Sequence, residues 1–347
     1  MISTGLCEDA IQRILANLPS ASGDLTKYLL TVCQRYEGHP CYLLIAGEIS
    51  RVLLSRTSPS EFVDFCEESR NPEPFLLPIL EDLSSTISVR SYDQALVVLP
   101  FLLPFGERQW PESRSEEYRS FRDLIEYTWY VTECKPDLDV IVLPYLPTDI
   151  LYLYGKYLKG IKEDEKALSV LDKARHQSPV HAGILGDTVS LMLRHRNIAK
   201  AIPLLALSFK TAWMKEDLAA AFRNQGFLLS LQEDKEAAIA CYLMAETWEE
   251  SHDGREELKL ITGENGDLDY GYFNLNGKEI LSDRNVPIGP DSVIISLLTG
   301  IAENYLEEHN LMKAREYLIR AGQLLMSDEI EARIQMIERQ LEDNGVF

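Results

Sequence analysis

The sequence predicts an all-α protein, an α-solenoid of antiparallel helix hairpins. Three observations predict it. First, residues 148–181 read as two amphipathic helices around a polar turn. Leu151, Tyr154, Gly155 and Leu158 fall at i, i+3, i+4 and i+7 on one face, Lys162-Glu163-Asp164 turns the chain, and Ala167, Leu168, Leu171 and Ala174 line a second face that Pro179 follows. Second, the small residues recur. Ala201 lies 34 residues after Ala167 and Ala238 lies 37 further on, while Gly226 precedes Ala238 by twelve residues, as Gly155 precedes Ala167. Two helix axes approach closely only where side chains are tiny, so Gly155, Ala167 and Ala174 mark a packed pair. Third, a further unit centres on Ala314, with Leu298, Ile301, Ala302 and Tyr305 before it and Leu318 and Ala321 after. One helix pair cannot bury its own apolar face, and three or more can.

Phe222 and Leu229 complete the helix that carries Gly226, and Tyr242 and Ala245 complete its partner. Around Ala201 the glycine position holds Val189, followed by Leu205 and Ser208. This pattern resembles the tetratricopeptide repeat family, whose unit is a helix–turn–helix of about 34 residues with a small residue on each helix and a late proline. The resemblance implies a right-handed superhelix. It covers 148–248 and 291–326, and it is similar to bacterial proteins built of such repeats.

Residues 1–147 read as helices without a clean repeat. Ala10, Ile11, Ile14, Leu15 and Leu18 form one face, ended by Pro19; Leu25, Tyr28, Leu29, Val32, Cys33 and Tyr36 form the next, ended by Gly38. A third runs from Leu43 through Gly47 to Leu54. Ser58-Pro59-Ser60-Glu61 is a capping box with proline at the first helical position, opening a helix through Phe62, Phe65 and Cys66. Asn71-Pro72-Glu73-Pro74 is a turn, and Phe75 to Leu83 is helical in spacing. Ser91 to Ala95, with Leu99, resembles the start of a repeat's second helix, which Pro100 and Pro104 should end or kink. Ser113 to Glu116 reads as another capping box, opening a longer helix with Tyr118, Phe121, Ile125 and Trp129 on one side. Val140 to Leu143 is the one short strand candidate, read rather as the start of a buried connection. These residues form degenerate hairpins of the same kind or a separate helical bundle.

Residues 249–290 interrupt the repeats, as an irregular insertion or a degenerate unit. Glu256 to Ile261 looks helical, and Glu264 to Asp269 carries turn chemistry. Asn276-Gly277 suits a hairpin turn, but a short helix over Gly277 to Arg284 is favoured because its surroundings are helical. In 327–347, Ile330, Ile334, Ile337 and Leu341 form a narrow stripe opposite a charged face, as a capping helix needs.

The net charge of −21 argues against nucleic acid, whose phosphates need a surplus of Lys and Arg, and against anionic membranes. The first residues carry no basic segment followed by an apolar core, and the apolar run Ala95 to Phe105 is too short to span a bilayer. Cysteines 7, 33, 41, 66, 134 and 241 form no C-x-x-C pair, and most sit on apolar faces as reduced thiols do. A cytoplasmic protein is the expectation.

No phosphate-binding glycine loop, H-E-x-x-H or G-x-S-x-G is present. His176, His181 and His195 fall at a helix end, a helix start and that helix's far end, so they read as turn and cap residues rather than metal ligands. Asn265, Asp267 and Asp269 lack the order of a calcium loop. No cofactor, metal or catalytic group is expected. Binding of a protein or peptide is. The resemblance implies a concave surface lined by first helices: Tyr152, Lys156 and Lys159, then Ser190 and Arg194, then Arg223 and Phe227, then Thr299 and Glu303. Lys156 and Arg223 are expected to be exposed. Cations and aromatics there suit an extended peptide with a carboxylate; equally, Tyr152 and Phe227 are packing residues and the cations are solvated. Chaperone-binding members clamp a C-terminal carboxylate with Lys, Arg and Asn; the matching positions hold Tyr152, Lys156, Asp187, Ala220 and Asn224, which do not meet that pattern.

The reading is a non-catalytic binding scaffold, its oligomeric state open. The alternatives are a regulatory protein whose N-terminal half acts on a target while the repeats bind a peptide signal, an enzyme with a dispersed site, and self-assembly through the solenoid ends.

Overall fold

The computed structural model describes residues 4–108, 110–111, 113–263 and 268–344. The turn and calcium-loop readings at 264–267 lie outside these residues. In chain order the first helices are α1 Thr4–Ala16, α2 Ser22–Tyr36, α3 Tyr42–Arg56, α4 Pro59–Glu68, α5 Glu73–Ser88 and α6 Asp93–Gly106. Next come strand β1 Glu116–Ser120, helix α7 Leu124–Trp129, a π-helical turn Tyr130–Cys134 and strand β2 Asp139–Leu143. Helices α8 Leu146–Gly160, α9 Asp164–Gln177, α10 Ala182–Arg194, α11 Ile198–Thr211, α12 Lys215–Leu231 and α13 Lys235–Trp248 follow. The last five are α14 His252–Thr262, α15 Tyr270–Asp283, α16 Ser292–Glu307, α17 Leu311–Leu324 and α18 Asp328–Asp343. Among the described residues the fold is all-helical apart from the two strands. The chain divides into two compact units, Met1–Pro111 with Pro144–Ala174 and Glu112–Leu143 with Arg175–Phe347.

In the first unit α3 packs on α5, α4 on α6, and α5 and α6 on α8. Aromatic rings fill the centre: Phe62 meets Phe101 edge-on at 5.7 Å and Phe65 meets Phe75 at 5.2 Å. Buried Ser50 donates to the Phe75 carbonyl at 2.7 Å, tying α3 to α5. The Ser58 capping box forms as read, its hydroxyl accepting from Glu61 N while Glu61 accepts from Ser58 N at 2.8 Å. Helix α6 does not end at its prolines. Pro100 and Pro104 sit one turn apart on the exposed side, where the carbonyls they leave without donors can meet water. Cys7 and Cys41, read as reduced, are instead joined in a disulfide with Cα atoms 5.4 Å apart. Their helices are already side by side, since α1 packs on α3.

The hairpin α8–α9 rests on the predicted close approach. A Cβ on Gly155 would stand 2.6 Å from Leu171 Cδ2, and Ala167, Leu171 and Ala174 are fully buried. In the second unit α12 and α13 repeat that contact. A Cβ on Gly226 would stand 2.9 Å from Tyr242 Cε2 and 3.2 Å from the Ala238 carbonyl. Leu171 and Tyr242 each lie four residues after the corresponding alanine, so both hairpins seat the same knob in the same gap. Ala201, Ala238, Ala245, Ala302, Ala314 and Ala321 are all buried at helix contacts of the second unit.

Helix α12 packs on α10, α11, α13 and α14, α15 on α13, and α16 on α7, α11 and α17. The stripe Ile330, Ile334, Ile337 and Leu341 buries α18 against α17, as its spacing predicts. Gly277 lies inside a helix, not a hairpin, and that helix begins earlier than expected, at Tyr270.

Residues 113–143 depart most from expectation. The Ser113 to Glu116 capping box does not open a helix; it leads into β1, and Val140 to Leu143 belongs to β2 rather than to a buried connection. The two strands pair in parallel, Glu116 opposite Asp139 through Ser120 opposite Leu143. Parallel strands need a crossover, and α7 with the π-helical turn supplies it. Only Ile125 and Trp129 of the long predicted face become buried helix residues; Tyr118 lies in β1 and Phe121 in the connection.

Candidate functional site

The nine residues of the predicted surface fall in both units. Tyr152, Lys156 and Lys159 share α8 in the first, where the Lys156 ammonium lies 5.4 Å from the centre of the Tyr152 ring. The other six belong to the second unit: Ser190 and exposed Arg194 on α10, Arg223 and Phe227 on α12, Thr299 and Glu303 on α16. Phe227 packs partly into the core. The Thr299 hydroxyl bonds the Ile295 carbonyl at 2.9 Å, and Glu303 pairs with Arg333 of α18. Arg223 is not the exposed cation expected. Its side chain is 19% exposed and its guanidinium donates to Glu249 at 3.0 Å. Asn224 is buried as well, its amide donating to the Gly186 carbonyl at 2.9 Å and so tying α12 to α10. His181 caps α10, its Nδ1 accepting from Ile184 N at 3.2 Å.

The second unit holds a cavity of about 510 Å³ that none of the nine residues lines. Ile202, Leu205, Ala206, Phe209 and Lys210 bound it from α11 at i, i+3, i+4, i+7 and i+8, one complete helix face. Gln225 and Leu228 come from α12, and residues 285–291 form the remaining wall. That wall is stiff: Pro287 and Pro290 flank Ile288 and Gly289, and Asp291 is fixed as the N-cap of α16, accepting from Val293 N at 2.8 Å. Leu205, Phe209 and Leu228 are buried and give an apolar floor, while Ile202 and Ile288 stand 46% and 47% exposed at the rim. The Lys210 ammonium and the side-chain amides of Gln225 and Asn285 have no bond to another described residue. The volume lies within the range of about 300–1,000 Å³ usual for ligand pockets, and an apolar wall with a few convergent polar groups is their usual chemistry. A side-chain amide offers one donor and one acceptor side by side, which matches a peptide group.

A buried ionic cluster lies elsewhere in the same unit. Glu126 of α7 is 2% exposed and accepts from the Trp213 indole N–H at 3.1 Å and from Arg122 N at 2.9 Å. The Arg122 guanidinium stands 3.3 Å from Glu126 and 2.9 Å from Asp217 of α12. The guanidiniums of Arg122 and Arg320 each lie 4.7 Å from the centre of the Trp213 ring. Arg320 and Tyr317 of α17 bond Asp123, the N-cap of α7, at 2.8 and 2.6 Å. Burial raises the Glu126 carboxyl above its ordinary range, with the Arg122 charge pulling it back. Burial and the bond to Asp123 likewise push the Tyr317 phenol up. This cluster fastens 113–143 to α12 and α17. Its bonds between elements join residues 87 to 197 apart in sequence, so no local pattern announces it. The cavity does have a local signal, the five-residue face of α11.

No protein-family profile and no curated protein matches the chain. Among the described residues no helix is long and apolar enough to cross a membrane.

Proposed function

We propose that the chain is a helical-repeat protein of the tetratricopeptide kind, a right-handed superhelix of hairpins that binds a protein or peptide and catalyses no reaction. The ligand places an apolar side chain in the cavity bounded by α11, α12 and residues 285–291. The observation that carries this reading is the cavity itself, where an apolar floor stands beside two unpaired side-chain amides and one unpaired cation. Gln225 and Asn285 pair with the peptide backbone, the floor takes the anchor residue, and Lys210 favours a neighbouring carboxylate. The shared glycine contact of α8–α9 and α12–α13 supports the repeat reading, because it makes the two hairpins copies of one packing unit. The net charge of −21 keeps nucleic acid out of the partner list. The expected cytoplasmic setting sits poorly with the Cys7–Cys41 bridge, since such bridges persist where the surroundings oxidise.

The test is selection of a displayed peptide library on the full chain, followed by anisotropy titration of the winners. Ala206→Trp fills the cavity from an exposed position of α11, and Lys210→Glu reverses its cation. The selected peptides should share an apolar anchor and bind Ala206→Trp at least tenfold more weakly, with an unchanged circular dichroism spectrum. Equal affinity for wild type and Ala206→Trp would remove the cavity from the account.

A further inference from the structure

We infer that the open edge of β2 is a second docking surface, which accepts an extended peptide as a third strand. This surface is separate from the cavity and does not depend on it. Asp139 N donates to the Ser115 carbonyl at 3.1 Å, so the backbone of Asp139 faces β1. With a period of two, Ile141 and Leu143 face β1 as well. The backbone N–H and C=O groups of Val140 and Val142 therefore point to the other side, where no hydrogen bond to a described residue reaches them. A parallel pair with such an edge is an incomplete sheet, since parallel sheets are ordinarily larger and covered.

The two edges are not equivalent. β1 carries Glu116, Glu117 and Arg119, with Arg119 and Glu117 paired at 3.1 Å, and charge of this kind discourages strand addition. β2 after Asp139 is Val140-Ile141-Val142-Leu143, uncharged and β-branched in its first three residues, with Val142 52% exposed. A groove of about 430 Å³ opens at the start of this strand, lined by Tyr127, Val131, Leu138 and Val140 and by one cation and one anion, Lys135 and Asp139. Main-chain pairing supplies affinity in strand addition, and flanking pockets supply preference. The occupant fitted here is an extended, β-branched peptide segment whose carboxylate reaches Lys135 and stays clear of Asp139. A second copy of the chain is disfavoured, because it would bring −21 against −21.

The experiment titrates the full chain with a fluorescein-labelled heptapeptide of alternating valine and threonine ending in glutamate, and reads amide exchange residue by residue. At saturation the Val140 and Val142 amides should slow at least tenfold. Val142→Pro removes an outward N–H and no bond to β1, and should weaken binding at least tenfold. Ala206→Trp should bind this peptide as wild type does, which separates the edge from the cavity. If Val142→Pro does not fold, exchange in the wild type decides alone. Absence of protection at millimolar peptide would overturn the inference. So would protection in peptide-free protein that grows with protein concentration, which would assign the edge to a second copy.

Discussion

Replacing Gly226 with alanine separates helix propensity from helix packing. Alanine favours a helix interior by about 1 kcal/mol over glycine. At Gly226 the new methyl would stand 2.9 and 3.0 Å from two Tyr242 ring carbons and 3.2 Å from the Ala238 carbonyl. That carbonyl is backbone and the ring is 1% exposed, so neither yields cheaply. Overpacking of this kind costs about 1–3 kcal/mol. The net effect is a loss of about 0–2 kcal/mol. Gly300 is the matched control, since it sits inside α16, is exposed, and has nothing within 4 Å of its would-be Cβ. Gly300→Ala should stabilise by about 1 kcal/mol. The assay is urea unfolding of both variants with unchanged slope, so that the midpoints report stability. The two variants should differ by about 1–3 kcal/mol, Gly226→Ala being the weaker. Equal midpoints would refute the claim that α12 and α13 are held at a distance only glycine permits.

Three further expectations follow from the buried groups. The Glu126 carboxyl is raised in the folded state, so the stability it confers is complete below the unfolded carboxyl's pKa, about 4.3, and is lost as pH rises through the folded value. The stability of wild type minus that of Glu126→Gln should therefore fall with rising pH; a rise would mean the carboxylate is held ionised. Glu126→Ala leaves the Arg122 backbone N–H and the Trp213 indole N–H without their acceptor, while Asp217 still holds the Arg122 guanidinium, and two orphaned donors should cost about 2–6 kcal/mol. The Cys7–Cys41 disulfide spans a separation of 34 residues, which in the chain-entropy treatment is worth about 4 kcal/mol. Reduction should lower the unfolding midpoint of the first unit, read from a probe there, and an unchanged midpoint would show that α1 and α3 hold together without the bridge.

The helices were legible because their apolar spacing is local. The stripe of α18, the Ser58 capping box, and the pairs Gly155–Leu171 and Gly226–Tyr242 depend on residues at most sixteen apart. What was illegible depends on distant partners. β1 reads Glu-Glu-Tyr-Arg-Ser and has no apolar alternation, because a half-exposed strand need not have one. It is a strand because β2 pairs with it, 23 residues on. Pro100 and Pro104 predict an end or a kink, and their exposed side lets α6 run on past both. Arg223 read as a free cation because its partner Glu249 lies in the turn after the next helix. Of the α11 face that bounds the cavity only Leu205 was in view, as a packing position, and periodicity does not tell an apolar face that is covered from one that lines a void.

The measurement that bears most directly on the binding reading is hydroxyl-radical footprinting of the full chain with a display-selected peptide. Ile202 and Ile288 are 46% and 47% exposed at the cavity rim, and both should be oxidised in the free protein. A peptide seated in the cavity should protect both. Protection confined to Tyr152, Lys156 or other residues outside the cavity, with Ile202 and Ile288 unchanged, would contradict the account.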